Sequence, residues 1–322
     1  MRAGSRLLIV VIAWCALTAG GHAQTYPDHP VKVIVPFAAG GPTDVTARLI
    51  AQKLSERLKQ QFYVENHAGA GGNVGIGAAA KSAGDGYTIL FASSSFVVNP
   101  SLYAQAPYEP FRDFAPVTMA VDSPNAILVN PAVPARDANE LVALIRANPG
   151  KYNFATAGIG TTPHLAGEVF RRSLGLDFVH VPFAGAGPAV QSAVAGHTPI
   201  IFTTVSGTVP LVREGKLRAL AVMGRARASA LPEVATTAEQ GLAGLESNTF
   251  QGVLVPAGTP QAVIDRLHAE IAAIEQADDV RQRFAALGFE LVANTPGEFA
   301  QMIRDDIAKW GKVIREANIH VE

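Results

Sequence analysis

The sequence predicts a two-lobed α/β fold, and three observations carry that expectation. Short β-branched runs alternate with amphipathic helical stretches, the pattern of βαβ units with largely parallel sheets. The chain is 322 residues long, about two domains' worth. Pro36-Phe37-Ala38-Ala39-Gly40-Gly41-Pro42 nearly repeats as Pro182-Phe183-Ala184-Gly185-Ala186-Gly187-Pro188, and each copy joins an expected strand to an expected helix. A composition of 48% apolar and only 16% charged residues supplies cores for both lobes and excludes disorder as the main state.

Val31–Phe37 is a β-branched run and reads as a buried strand. The helix after it opens at Gly41 as N-cap, with Pro42 at the first position, Asp44 in the first turn, and Val45, Leu49, Ile50, Leu54 and Leu58 on one face. Tyr63–Asn66 is the second strand, followed by the glycine-rich loop 68–75 and a short helix. Tyr87–Ala92 is the third strand, ending in Ser93-Ser94-Ser95. The pattern changes phase over Asp122–Pro134, which is rich in Pro and Asn. Asp137 to Glu140 then has capping-box spacing for a new helix.

Asn153–Ala157 reads as a strand, with residues 158–164 turning into a helix that ends near Ser173. Phe178–Phe183 is the next strand, leading through the second copy of the repeat into a helix to about Ala195. Ile200–Phe202 and Leu217–Met223 are further strands. After Phe250–Val255 the chain turns helical at Pro260–Gln276, Asp279–Ala286 and Pro296–Ala317. Those helices are expected to fold back on the first half. That makes one lobe of about 25–124 plus 251–322 and another of 125–250, with two crossings forming a hinge.

The N-terminus sets the compartment. Arg2 and Arg6 precede the apolar stretch Leu7–Leu17, and Gly21 and Ala23 supply small residues at −3 and −1, the pattern of a secretory signal peptide over 1–23. Eleven apolar residues are too few to span a bilayer. Cys15 follows Trp14 rather than a small residue, which argues against a lipoprotein. Cleavage after Ala23 removes the chain's one cysteine and leaves 24 of the 26 basic residues against 27 acidic ones. A disulfide framework, an iron–sulfur site and a nucleic-acid-binding face are therefore not expected.

Helix N-termini hold anions through unpaired backbone N–H groups, with glycine allowing close approach. The loops at 36–44, 68–75, 93–95, 156–164 and 182–190 carry no Lys or Arg, and their only ionisable groups are Asp44 and His164. A polyphosphate would call for a cation beside the amides, whereas a single carboxylate is within reach of amides, hydroxyls and water. The expected ligand is thus a small carboxylate held between two opposed helix starts; two tight turns with no ligand is the plain alternative. Asp44 is read equally as a helix-dipole partner and as a ligand contact. His164 is read equally as a donor to ligand and as a partner of local backbone.

Enzyme motifs are absent. Gly69-Ala70-Gly71-Gly72-Asn73-Val74 has Val where a dinucleotide fingerprint needs its last Gly, and Gly77 is followed by Ala78-Ala79 rather than the Lys-Ser/Thr of a P-loop. No G-x-S-x-G elbow and no H-E-x-x-H pair occurs, so neither catalysis, a metal nor a cofactor is expected.

Several ordered segments resemble the Bug family, the periplasmic solute receptors of tripartite tricarboxylate transporters. They are Tyr26–Val31, Val35–Asp44, Glu65–Gly72, Asp85–Thr88, Ala155–Gly160, His164–Glu168, His180–Phe183, Gly215–Ala221, Pro256–Pro260 and Trp310–Val313. The resemblance implies a two-lobed periplasmic-binding-protein (Venus-flytrap) fold, each lobe a mixed, mostly parallel sheet flanked by helices, without catalytic activity. It implies a monomer that delivers a small carboxylate to membrane permease subunits. In the family, loops matching 36–44 and 68–72 hold a carboxylate partly through water, and loops matching 156–164, 182–188 and 202–206 face them.

The expected ligand contacts are then Phe37, Gly40, Gly41, Thr43, Asp44, Ala70, Gly71, Ser93 and Ser94 from one lobe. The other lobe offers Thr156, Gly158, Thr161, His164, Phe183, Gly185, Gly187, Thr203 and Thr204. Where many relatives have Tyr-Lys/Arg-Gly this chain has Phe183-Ala184-Gly185, and where many have Phe-Asp-Asn it has Phe202-Thr203-Thr204. Without that Asp there is no evident partner for an ammonium group, and without the Lys or Arg a second tightly held carboxylate is disfavoured. The rival classes are a co-receptor presenting the same ligand to a sensor kinase and an exported enzyme acting on a carboxylic acid.

Overall fold

The computed structural model describes residues 26–316 and Ile319; the expected signal peptide lies outside the described residues. In chain order the elements begin β1 (Val31–Val35), α1 (Pro42–Leu58), β2 (Phe62–Asn66), α2 (Asn73–Ala80), β3 (Thr88–Ser93), α3 (Ser95–Leu102), α4 (Pro110–Asp113) and β4 (Phe114–Val129). They continue α5 (Ala138–Arg146), β5 (Asn153–Thr156), α6 (Thr162–Ser173), β6 (Val179–Pro182), α7 (Ala186–Val194), β7 (Ile200–Thr204), α8 (Val209–Arg213) and β8 (Arg218–Val222). The last are β9 (Asn248–Pro256), α9 (Gln261–Glu275), α10 (Asp278–Leu287), β10 (Glu290–Leu291) and α11 (Pro296–Glu316).

The strands are ordered β2-β1-β3-β9-β4-β7-β5-β6, with β8 and β10 also pairing with β4. In the first lobe β2, β1 and β3 run parallel and β9 runs antiparallel to both β3 and β4. In the second lobe β5 is parallel to β6 and β7, and β4 runs against β7 and β8. Each lobe therefore has a parallel wing, and the reversed strands lie where the lobes join. The wings read as continuous apolar runs because helices cover both faces: every residue of β3 is buried. Helices α1, α9 and α10 cover one face of the first lobe, and α2, α3 and α11 the other. In the second lobe α5 and α6 cover one face, α7 and α8 the other.

The segment 122–134 departs from expectation. Its prolines and asparagines read as a break, yet residues through Val129 continue one 16-residue strand, β4, that crosses from lobe to lobe. Pro116 is accommodated where the register with β9 slips, and Pro124 lies at the last rung, opposite Asn248. Beyond it β4 changes partners, from β9 to β7 and β8. The amide of Asn125 donates to Ser247 O at 2.9 Å, so the two crossing strands stay paired at the junction.

Candidate ligand-binding cleft

Two strand-to-helix turns meet face to face between the lobes. The turn from β1 to α1 and the turn from β6 to α7 are joined by Ala38 N donating to Ala184 O at 3.1 Å. A Cβ on Gly41 would lie 3.3 Å from Gly187 N, and one on Gly187 would lie 3.2 Å from Ala39 O. A second contact joins the 3-10 turn at Ala70–Gly72 to residues 158–160. Gly71 takes φ 61°, and a Cβ there would fall 1.8 Å from Ile159 O. Asn99 Nδ2 holds this turn through Gly71 O at 3.1 Å and Asn73 Oδ1 at 2.8 Å, and Tyr103 OH donates to Ile159 O at 3.3 Å. The lobes are closed on each other.

Between these contacts lies a cavity. The first lobe lines it with Phe37, Gly41, Pro42 and Thr43 at the start of α1, Ser93 at the end of β3, and Thr249 and Gln251 on β9. The second lobe adds Ala157, Thr161, Thr162 and Pro163 around the start of α6, Ala186 at the start of α7, and Thr203 and Thr204 at the end of β7. The centres of water-sized molecules have about 40 Å³ to occupy, a few times what one water needs. The closed cleft thus suits a compact ligand.

None of these lining side chains is ionisable. The positive field comes from the backbone, because three helices, α1, α6 and α7, begin at the cavity. The N-caps of α1 and α7, Gly41 and Gly185, have no side-chain cap, and α1 opens on Pro42, which has no N–H of its own. α6 is capped by Thr161, whose Oγ1 accepts from His164 N at 3.4 Å. Helix starts that face one another repel unless an anion sits between them.

The hydroxyl protons around the cavity are partly committed. Thr161 Oγ1 donates to Gly158 O at 2.7 Å and Thr204 Oγ1 to Ser206 O at 3.1 Å. Thr249 Oγ1 donates to Asn125 Oδ1 at 2.8 Å, so in its 2.5 Å contact with Thr162 Oγ1 the Thr162 hydroxyl is the donor. Gln251 Oε1 is buried without any partner.

Of the residues expected from sequence, Phe37, Gly41, Thr43, Ser93, Thr161, Thr203 and Thr204 line the cavity. Asp44 does not. Its carboxylate turns back to organise the loop, accepting from Gly40 N (2.9 Å), Arg48 Nε (3.0 Å) and Asn66 Nδ2 (2.8 Å). Burial pushes its pKa up, but the bonds from Arg48, Gly40 and Asn66 outweigh it and hold the carboxyl below its usual range.

His164 likewise sits behind the lining. Its Nδ1 accepts from Gly160 N at 3.4 Å, and its ring lies 4.6 Å from that of His180. Burial pushes the two imidazoles down to about 4 and about 3, so both are neutral. Thr156 and Ser94 are not among the lining residues: Thr156 Oγ1 sits 2.7 Å from His180 Nε2, and Ser94 Oγ accepts from Phe250 N at 2.8 Å. Ala70, Gly71, Gly158 and Gly185 belong to the turns that touch between lobes, Gly40 and Gly187 border a neighbouring hollow, and Phe183 packs against the core under α7.

Ala157, Thr162, Pro163 and Ala186 fall within the loops expected from sequence, whereas Thr249 and Gln251 lie on β9, outside them. Their sequence signal is alternation: Thr249 and Gln251 flank Phe250, which puts two polar side chains on one face of a strand. Among the described residues no three His, Cys, Asp or Glu side chains gather as a metal site.

The family model for the tripartite tricarboxylate transporter family receptor matches residues 46–319. The chain belongs to that family. The receptor is 37% identical to Protein BugT of Bordetella pertussis over 317 residues, 97% of each chain. It superposes with a TM-score of 0.88 on an R. palustris protein solved with adipate, at 30% identity over 92% of this chain and 99% of that one. With MatC from Rhodopseudomonas palustris, solved with bound malate, the TM-score is 0.86 at 32% identity, over 90% of this receptor and 100% of MatC. Among the described residues no helix of the receptor is long and apolar enough to cross a membrane.

Proposed function

We propose that this receptor is periplasmic after cleavage at Ala23, binds a small carboxylate between lobe 25–124 plus 251–322 and lobe 125–250, and delivers it to the permease subunits of a tripartite tricarboxylate-type transporter. It acts as a monomer, without catalysis or cofactor. The observation that carries this reading is the convergence of three helix N-termini on a cavity lined by no charged side chain. Such a site offers N–H groups and partial positive charge to one anion, and no cation for a polyphosphate. Relatives solved with adipate and malate support the ligand class. Gly41, Thr43, Ser93 and Ala186 meet the ligand, while Asp44, Ala70, Gly71, Gly158 and Gly185 hold the turns. Because the ligand touches both lobes only when they are closed, its binding energy favours closure.

The test is a thermal-shift panel on residues 24–322, refolded to strip carried ligand, with mono-, di- and tricarboxylates, amino acids and phosphorylated controls. A carboxylate at about 1,000 times its Kd adds about 4 kcal/mol, a shift of several degrees. Shifts confined to phosphorylated compounds would overturn the reading.

A further inference from the structure

The cavity adjoins a larger hollow. Pro42 and Ala186, the first residues of α1 and α7, and Thr203 near the end of β7 line both spaces. In the hollow the centres of water-sized molecules have about 290 Å³, against about 40 Å³ in the cavity. The hollow also lies between lobes: Val45, Leu287 and Phe289 come from the first, Val190 and Leu211 from the second. Two of its lining residues are joined across the lobes, Gly207 N donating to Leu287 O at 3.0 Å, so the hollow takes its shape from closure.

The lining of this hollow offers little to a charge. No ionisable side chain borders it. Its hydroxyl protons are directed elsewhere, Ser206 Oγ donating to Thr204 Oγ1 at 2.9 Å and Thr208 Oγ1 to Val205 O at 2.7 Å. The side chain of Gln191 is exposed to water. What remains is the apolar surface of the two valines, the two leucines and Phe289.

We propose that the hollow is the subsite for the tail of the ligand, and that the receptor's substrates are monocarboxylates with an uncharged hydrocarbon tail. The inference rests on the carboxylate reading above and names the far end of the molecule. The cavity takes only a compact group, so a ligand anchored at the starts of α1 and α7 places the rest of itself past Pro42, Ala186 and Thr203. A second carboxylate there would give up water and meet no cation, and an ammonium group would meet no carboxylate. A hydrocarbon chain instead buries apolar surface against both lobes at once, which favours the closed form as well as binding.

The test is calorimetric titration of the refolded receptor with acetate, butyrate, hexanoate and octanoate, and with succinate, adipate and suberate as dicarboxylates of matching length. From acetate to hexanoate affinity is expected to rise about tenfold or more, since each buried methylene is worth up to about fourfold. Hexanoate should bind about tenfold or more tightly than adipate. Val45→Phe fills the hollow from α1 and should remove most of the chain-length gain while leaving acetate within about twofold. Leu211→Asn makes the opposite wall polar at a half-buried position and should act in the same direction, which decides the matter if Val45→Phe does not fold. Affinity that does not rise with chain length, adipate binding as tightly as hexanoate, or a gain untouched by the folded variants overturns the subsite and leaves the carboxylate reading standing. Failure of every carboxylate to bind overturns both.

Discussion

The amide of Ala38 donates to the carbonyl of Ala184 at 3.1 Å, a backbone bond between lobes made by the two copies of the Pro-Phe-Ala repeat. The copies therefore act on each other: one turn supplies a donor, the other an acceptor, and the helices behind both begin at the cavity. In the proposed carboxylate site neither turn's amides reach a shared anion in an open form, so ligand affinity and the fit of these turns should be linked.

Closure should consequently be sensitive to a single methyl group at Gly71. Gly71→Ala sets a Cβ 1.8 Å from Ile159 O in the closed form, at a residue with φ 61°. Gly215→Ala controls for backbone strain, since Gly215 has φ 69° with nothing within 4 Å of its Cβ position. Both variants should lose about 1 kcal/mol of folding stability. Carboxylate affinity should fall about tenfold or more in Gly71→Ala and less than about twofold in Gly215→Ala, as read by titration. Equal affinities would mean the turn at 70–72 does not limit closure.

Much of this arrangement was legible in the chain, and the misses have physical causes. The helix start at Gly41-Pro42 and the glycine turns were readable because local chemistry decides them: Pro lacks an N–H, and Gly alone leaves room for a facing backbone. β4 is not, since Pro124 and Asn125 are turn residues by propensity and become strand only through pairing with distant partners, Pro124 with β9 and Asn125 with β7. Asp44 and His164 are the only ionisable groups in the loops, and the sequence leaves each open between ligand contact and local partner. Which way each side chain turns depends on Asn66 and His180, residues that sequence distance hides.

Asp44 is expected to act through the loop it organises. Asp44→Asn keeps the shape but weakens the bonds to Gly40 N and Arg48, and should cost about 1–3 kcal/mol in urea unfolding at pH 7. The native carboxyl titrates below its usual range, so its contribution is present at neutral pH and disappears as pH falls through that low folded pKa. The difference between wild type and variant should shrink in acid. A constant difference down to pH 2 would contradict the arrangement.

The buried imidazoles predict an acid-side loss of stability. His164 is pushed from 6.5 down to about 4 in the folded protein, and His180 to about 3. Below pH 6.5 the unfolded chain takes up protons that the folded chain refuses, so stability should decline as pH falls from 6.5 and level off near 4 to 3. For His164 the loss is on the order of 3 kcal/mol. Equilibrium unfolding across pH 8 to 4 should show the decline, and it should be shallower in His164→Gln. An unchanged slope in that variant would remove His164 as the cause.

Glu275 predicts the opposite limb. It ends α9 at 2% exposure, and neither carboxyl oxygen has a hydrogen-bond partner. Burial pushes its pKa from 4.5 up to about 8, so the folded protein holds a neutral acid while the unfolded chain ionises above 4.5. Here the folded state binds the extra proton, and stability should fall as pH rises from 4.5 to about 8 and then flatten. Glu275→Met removes both the ionisation and the unsatisfied oxygens. Its gain over wild type should be small at pH 5 and reach roughly 2–4 kcal/mol at pH 9, measured by urea unfolding. A gain of the same size at both pH values would trace the effect to packing rather than charge.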